Sequence, residues 1–225
     1  MVIIPFMKNL CVLAILVAVV TSTPLWSTDK AWQWYNNQTW GAGVNFIPST
    51  ADNELEMWQP DTFDIKTIER ELTFAQLTGF SLLRVFLHIR AYLDDPSGFL
   101  DRMFTFLTIA AKHGHRTVFV LFDDCWRESY QSGKQPEPIP GVHNSQWLQC
   151  PGTVKYTDAE FKSYTQEILK TFGTDSRVIV WDLYNEVGNS GHANNSYPLM
   201  KKVFDWAREI DIIQPITSGH WNGAT

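Results

Sequence analysis

Apolar positions along the chain fall into two alternating rhythms. Short runs rich in β-branched and aromatic residues, of the kind that build strands buried on both faces, occur at residues 40–46, 81–87, 116–122 and 178–183 and again at 215–219. Between them, apolar residues recur every three to four positions, the period of a helix with one face on a core. Ile65, Ile68, Leu72 and Ala75 form one such face, with Asp64 as a fitting N-cap and Gly79 just past the end. Leu100, Met103, Leu107 and Ala110 form the second, in a helix over residues 99–113 closed by Gly114. The third starts at a Thr157-x-x-Glu160 capping box, carries Phe161, Tyr164, Ile168 and Phe172, and ends at Gly173. The fourth is expected to follow Pro198 as a first-turn residue, with Leu199, Val203, Trp206 and Ile210 in register. Residues 26–40, polar and rich in Trp, read as a lead-in segment lying across the fold.

Strand and helix alternate, which implies parallel strands joined by right-handed crossovers, an α/β fold. The connections are unequal. Helix-to-strand turns are short, whereas the strand-to-helix loops 47–63, 88–98, 123–156 and 187–197 are long. Long loops inside a compact domain are usually functional. All of these lie at the carboxyl ends of the strands, the catalytic face of a β/α barrel. About five strands and four helices are legible, fewer than the eight of each in a TIM (β/α)8 barrel, so the expectation is an incomplete barrel over residues 24–225, its N-terminal part.

The most informative stretch is residues 178–188, where an apolar strand runs into Trp181-Asp182-Leu183-Tyr184-Asn185-Glu186. This resembles the fourth-strand signature of clan A glycoside hydrolases, nearest to glycoside hydrolase family 5 and related xylanase- and cellulase-like sequences. The resemblance implies that Glu186 is the general acid/base of a retaining glycosidase and that Asn185 hydrogen-bonds the sugar 2-hydroxyl; a purely structural carboxylate is the alternative for Glu186. Retention needs a second carboxyl group about 5 Å away. In this clan that nucleophile is a Glu after the seventh strand, which is expected beyond Thr225. Strict alternation puts Asp182, Tyr184 and Glu186 on one strand face and Asn185 on the other, so the strand must bulge or end for both Asn185 and Glu186 to serve one pocket.

On the second strand, Leu83, Val85 and Leu87 are wholly aliphatic and suit the helix side. Arg84 then points inward and needs a partner, with Asp182 or Glu186 in the plausible set. The resemblance places an Arg beneath the catalytic carboxylates; a structural ion pair is the other reading. His88, at the strand end, is either a sugar contact or a loop hydrogen bond. Residues 43–46 and 54–58 resemble the first-strand region of the same enzymes, which makes Asn45 and Trp58 candidates for substrate contact. Trp126, Trp147 and Trp221 are candidate stacking platforms for a pyranose, or rings that pack loops onto the barrel rim.

Composition narrows the picture without changing it. The chain has 225 residues, 44% hydrophobic, with ten Trp, fourteen Phe and a formal charge of −6. That balance argues against nucleic acid as a partner. Lys8, an apolar run from Leu10 to Val20 and small residues up to Thr23 read as a secretory signal peptide over residues 1–23, or an uncleaved membrane anchor, so a secreted or periplasmic protein is expected, with no stable membrane insertion once the segment is cleaved. Asn37-Gln38-Thr39 and Asn194-Asn195-Ser196 are glycosylation sequons, meaningful only in a eukaryotic secretory route. Export makes a Cys125–Cys150 disulfide the leading guess, with two free thiols as the alternative. Asp123, Asp124, His88 and His143 could be read as a metal set, but their spacing matches no ligand pattern; no metal or cofactor is implied. The expected function is therefore hydrolysis of O-glycosidic bonds in β-linked glycans. The alternatives are a sugar-binding chain without turnover and, more remotely, a metal-dependent hydrolase.

Overall fold

The structure is a computed structural model and describes residues 24–153 and 155–221. The expected signal peptide, residues 1–23, lies outside the described residues. Five strands, β1 (Ala42–Asn45), β2 (Phe80–Phe86), β3 (Arg116–Val120), β4 (Val178–Asp182) and β5 (Ile216–Thr217), form one sheet in sequence order. Every neighbouring pair is parallel. The helices among the described residues are α1 (Thr28–Asn36), α2 (Glu54–Trp58), α3 (Ile65–Leu77), α4 (Ile89–Asp94), α5 (Pro96–Lys112), α6 (Asp158–Phe172) and α7 (Ala193–Ala207). This is the α/β pattern expected, an all-parallel sheet fed by crossover helices.

The caps that mark the helix starts in sequence do so in space. Asp64 Oδ1 accepts from the amides of Lys66 and Thr67 at the start of α3. Thr157 and Glu160 form the reciprocal capping box of α6. Together such caps satisfy amides that the helix cannot bond internally, each worth about 1 kcal/mol. The aliphatic face of β2 is fully covered: Leu83 and Val85 have no exposed surface and Leu87 only 1%. Phe99, Met103, Phe106 and Leu107 of α5 and Tyr164 and Ile168 of α6 are buried in the same core. The opposite face of β2 carries Arg84 and Phe86, so the residue order along one strand separates the core from the site.

Three elements differ from expectation. The lead-in segment 26–40 contains a helix that its composition did not announce, α1, capped by Ser27. Arg116, at the start of β3, donates to Gln38 Oε1 and to the Thr39 carbonyl, which holds this segment at the amino-terminal ends of the strands, opposite the long loops. The loop 88–98 contains α4, too short for a periodic pattern to reveal. The last helix begins at Ala193 rather than after Pro198, so the proline sits inside α7. Its missing N–H would have bonded the carbonyl of Asn194, and Asn194 is exposed, where water can serve that group instead.

Candidate active site

The long loop after β3 is anchored from below by α2. Asn53 Nδ2 donates to Gln135 Oε1 (3.1 Å) and to the Gln146 carbonyl (3.2 Å), Gln59 Nε2 donates to the Gly133 carbonyl (3.1 Å), and Glu54 Oε1 accepts from the Leu148 amide (3.2 Å). Asp123 and Cys150 exchange backbone hydrogen bonds, 2.6 and 2.9 Å, across the base of the loop. These bonds do the stapling expected of a disulfide. Cys125 and Cys150 are free thiols, a correction to the leading guess. The reason is direction: Cys150 Sγ accepts from the Ile89 amide and donates to the Leu121 carbonyl under the sheet, while Cys125 Sγ turns into the cleft toward Glu186.

That loop and the end of β4 enclose a cleft of about 400 Å³ at the carboxyl ends of the strands. Arg84, Asp123, Asn185, Glu186, Trp126 and Trp147 are among its walls. Strand β4 stops at Asp182, as the placement of Asn185 beside Glu186 required. Beyond it the backbone is still held, by Leu183 N to the Thr217 carbonyl (2.8 Å), Asn185 N to the Phe122 carbonyl (2.7 Å) and Gly219 N to the Tyr184 carbonyl (3.0 Å). Tyr184 turns into the core, stacks on Phe122 and donates its hydroxyl to Asp124 (2.8 Å). Glu186 takes a left-handed conformation, φ +48°, sparsely populated by residues with a Cβ. This break in alternation brings Asn185 and Glu186 to one cleft.

Arg84 is the hub beneath them. Its Nη2 lies 2.5 Å from Asp182 Oδ2 and 2.7 Å from Asn185 Oδ1, and its Nη1 lies 3.5 Å from Asn45 Oδ1. The guanidinium also sits 4.6 Å from the centre of the Phe86 ring. The partner expected for Arg84 is therefore Asp182. With Oδ1 of Asn185 given to Arg84, its Nδ2 donates to Asp123 Oδ1 (2.8 Å) and keeps a second N–H for a ligand. Asp123 in turn accepts from the Cys125 amide (3.1 Å) and, through Oδ2, from Trp147 Nε1 (2.7 Å). Burial pushes the Asp123 carboxyl up to about 7, against those donors. Glu186 Oε2 accepts from Asn189 Nδ2 (2.7 Å) and from Cys125 Sγ (3.1 Å).

The remaining candidates separate. Asn45 joins the cleft wall. Trp126 does so with 43% of its surface exposed, and Trp147 stands edge-on to Phe86, ring centres 5.0 Å apart. Trp58 is no substrate contact. It is fully buried among Phe63, Phe99, Phe106 and Phe119, and its Nε1 donates to the Phe86 carbonyl (2.7 Å). His88 is also buried and takes the structural alternative: Nδ1 accepts from the Arg90 amide to cap α4, and Nε2 lies 3.3 Å from the Gln149 carbonyl. Burial lowers its pKa to about 3, so it is neutral. Trp221 follows β5, 38% exposed, and is not among the residues lining the cleft. Among the described residues no group of three or more His, Cys, Asp or Glu is arranged to hold a metal ion. Nor is any helix among them long and apolar enough to cross a membrane. Two residues escaped the sequence reading as parts of the site, Cys125 and Asn189. Asp123, three residues past β3, was read only within a dismissed metal set, because its pairing with Asn185 is a tertiary bridge.

A parallel sheet of β/α units with a polar, Trp-flanked cleft at its carboxyl edge has the architecture of part of a β/α barrel. Solved structures agree at the level of fold. The chain superimposes on the exo-β-1,4-mannosidase Op5Man5 from Opitutaceae bacterium strain TAV5 with a TM-score of 0.56 at 18% identity, over 79% of this chain and 31% of that one. For a variant of GH5_18 from Streptomyces cattleya in complex with Manβ1-4GlcNAc the TM-score is 0.55 at 12% identity, over 81% and 46%. The chain thus spans less than half the length of either structure. It resembles glycoside hydrolase family 5 in fold, as a partial barrel. No protein-family model and no curated protein matches the sequence.

Proposed function

We propose that this chain carries the proton-donor side of a retaining glycoside hydrolase that acts on β-linked glycans. The observation that carries the reading is the joint placement of Asn185 and Glu186. Arg84 and Asp123 lock the Asn185 amide from both ends, while Glu186 opens onto the same cleft. In the first step Glu186 gives its proton to the glycosidic oxygen as the bond to the anomeric carbon breaks. In the second it takes a proton from water, which then displaces the enzyme from that carbon. The free N–H of Asn185 donates to the 2-hydroxyl, and Trp126 and Trp147 offer apolar faces to the sugar rings.

The nucleophile of this reading is a glutamate outside residues 1–225. Asp123, the other carboxylate on the cleft wall, is an unsuitable substitute: it is 1% exposed and both oxygens already accept hydrogen bonds. That same fact favours the rival reading, sugar binding without turnover. Mannosides are the first substrates to test, because the two structural neighbours described above are a mannosidase and an enzyme bound to Manβ1-4GlcNAc. Reducing ends released from β-mannan, cellulose and xylan oligosaccharides by the protein that includes the nucleophile segment, measured beside calorimetric binding of the same sugars, separate the readings. Release that falls by about 10²–10⁴ in Glu186→Gln supports hydrolysis. Binding without release supports the rival, and neither binding nor release sinks both. Export, through the segment before residue 24, belongs to the same proposal.

A further inference from the structure

The two oxygens of Glu186 are not equivalent. Asn189 Nδ2 lies 2.7 Å from Oε2 and 3.3 Å from Cys125 Sγ, and that sulfur lies 3.1 Å from the same Oε2. The three side chains close a triangle. An amide N–H can only donate, so Asn189 gives to both the carboxylate and the sulfur. The thiol proton is then left for a carboxylate. Burial, with Asp123 and Glu186 alongside, holds the Cys125 thiol above its ordinary range, so it remains S–H through the neutral region. The frame around the triangle is fixed as well. Asn189 N donates to the Glu186 carbonyl (2.9 Å) to close the turn, and Asp124 Oδ2 accepts from the Gly188 amide (2.6 Å).

We propose that Cys125 and Asn189 are positioning residues that hold Oε2 of Glu186 and thereby make Oε1 the oxygen that carries the transferred proton. This rests on the assignment of Glu186 as acid/base. An oxygen that accepts two hydrogen bonds has both lone-pair directions in use, and a proton placed there must displace a donor. Protonation at Oε1 displaces none among the described residues. In glycosidic cleavage the proton passes from Oε1 to the leaving oxygen, which keeps the electron pair of the broken bond. The carboxylate that remains is the form the two donors favour. In the return step Oε1 takes the proton of the attacking water, and Oε2 stays clamped throughout.

Other charged and titratable groups bear on the same carboxylate. Arg84 on β2 and Asp123 and His143 on the loop after β3 line the same cleft, and His220 follows β5, where its backbone pairs with Val187. Their effects cancel when variants of the clamp alone are compared. The experiment is a titration of the full 225-residue chain carrying ¹³C at the glutamate side-chain carboxyl, with the Glu186 signal assigned by its loss in Glu186→Gln. Cys125→Ala and Asn189→Ala should each raise the Glu186 midpoint by about one pH unit, because each removes a donor to the carboxylate. Cys125→Ser keeps a donor and should stay near the parent. Asn189→Ala gives the same reading should Cys125→Ala fail to fold. An unchanged midpoint in Cys125→Ala, or equal shifts in Cys125→Ala and Cys125→Ser, overturns the clamp. The midpoint is independent of turnover. A clamp that titrates as expected in a protein that includes the nucleophile yet is inert to β-glycans sinks the glycosidase reading alone, and a midpoint unmoved by Cys125→Ala in an active enzyme removes the clamp alone.

Discussion

Arg84 Nη2 lies 2.5 Å from Asp182 Oδ2, joining the middle of β2 to the last residue of β4 across β3. Neither residue could serve its purpose without the other. Asp182 is 6% exposed at its side chain and its Oδ1 has no hydrogen-bond partner among the described residues, so its charge is balanced through Arg84. Arg84 in turn is the donor that orients Asn185.

Replacing Arg84 with Met should therefore destabilise the chain by about 2–3 kcal/mol, somewhat less than the loss of a fully buried partner, because the Arg84 side chain is 28% exposed. Arg84→Lys keeps the charge but cannot span Asp182 and Asn185 with one planar fork, and should recover only part of the loss. Urea denaturation of the three proteins measures this. A change below about 0.5 kcal/mol for the Met variant would show that Asp182 is solvated or neutral.

Buried carboxylates set the pH dependence of stability. Burial raises Asp123 to about 7 and pushes Glu54 well above its ordinary value, with Asp123 adding to the effect. A carboxylate whose folded pKa is raised binds more protons folded than unfolded, so stability falls as pH rises. For Asp123 the fall begins near its unfolded value of about 4 and levels off above its folded value of about 7; its size is roughly 4 kcal/mol. Asp123→Asn should flatten that slope. Thermal unfolding followed from about pH 4 to 8 gives the test, and a parent chain whose stability climbs across that window would show that Asp123 is ionised throughout.

The two kinds of Trp should respond differently to truncation. Trp58→Ala removes a fully buried ring from an aromatic core and should cost about 3–5 kcal/mol of stability. Trp126→Ala removes a ring 43% exposed at the cleft and should leave stability within about 1 kcal/mol while weakening glycan binding several-fold. Calorimetric titration with a β-linked oligosaccharide, paired with melting curves, distinguishes them. Equal loss of stability in both variants would place Trp126 in the packing of the loop.

Trp58 and Trp126 look alike in sequence for a physical reason. Composition cannot tell a ring at a loop tip from one on a short helix under the sheet. Trp58 sits on α2, whose five residues are too few to display a period. His88 fails for the same reason, since its role is to cap α4. The longer elements were legible because burial imposes a pattern on them: the face of β2 and the capping box of α6 follow from spacing, whereas the Asn185–Glu186 junction was marked by its resemblance to the clan A signature. Cys125 and Asn189 were not, because their meeting depends on the left-handed turn at Glu186 and on how the loop after β3 returns. Those are tertiary facts that leave no local period.

The free cysteines give the last test, and it reaches both fold and compartment. A bridge across the loop closing at residues 125 and 150 would stabilise the chain by about 3 kcal/mol. In the arrangement found, the two sulfurs serve different neighbours and the loop is held by the Asp123–Cys150 backbone pair instead. Reduction with dithiothreitol should therefore leave the melting temperature unchanged. Thiol titration of the unfolded, unreduced chain should count both residues, with Cys11 as a third wherever residues 1–23 are retained. Cys150→Ala should cost about 1–2 kcal/mol through the small void beneath the sheet, with no dependence on redox conditions. A melting temperature that drops on reduction would mean that the loop closes covalently. Cys125 would then leave Glu186, and Oε2 would be held by Asn189 alone.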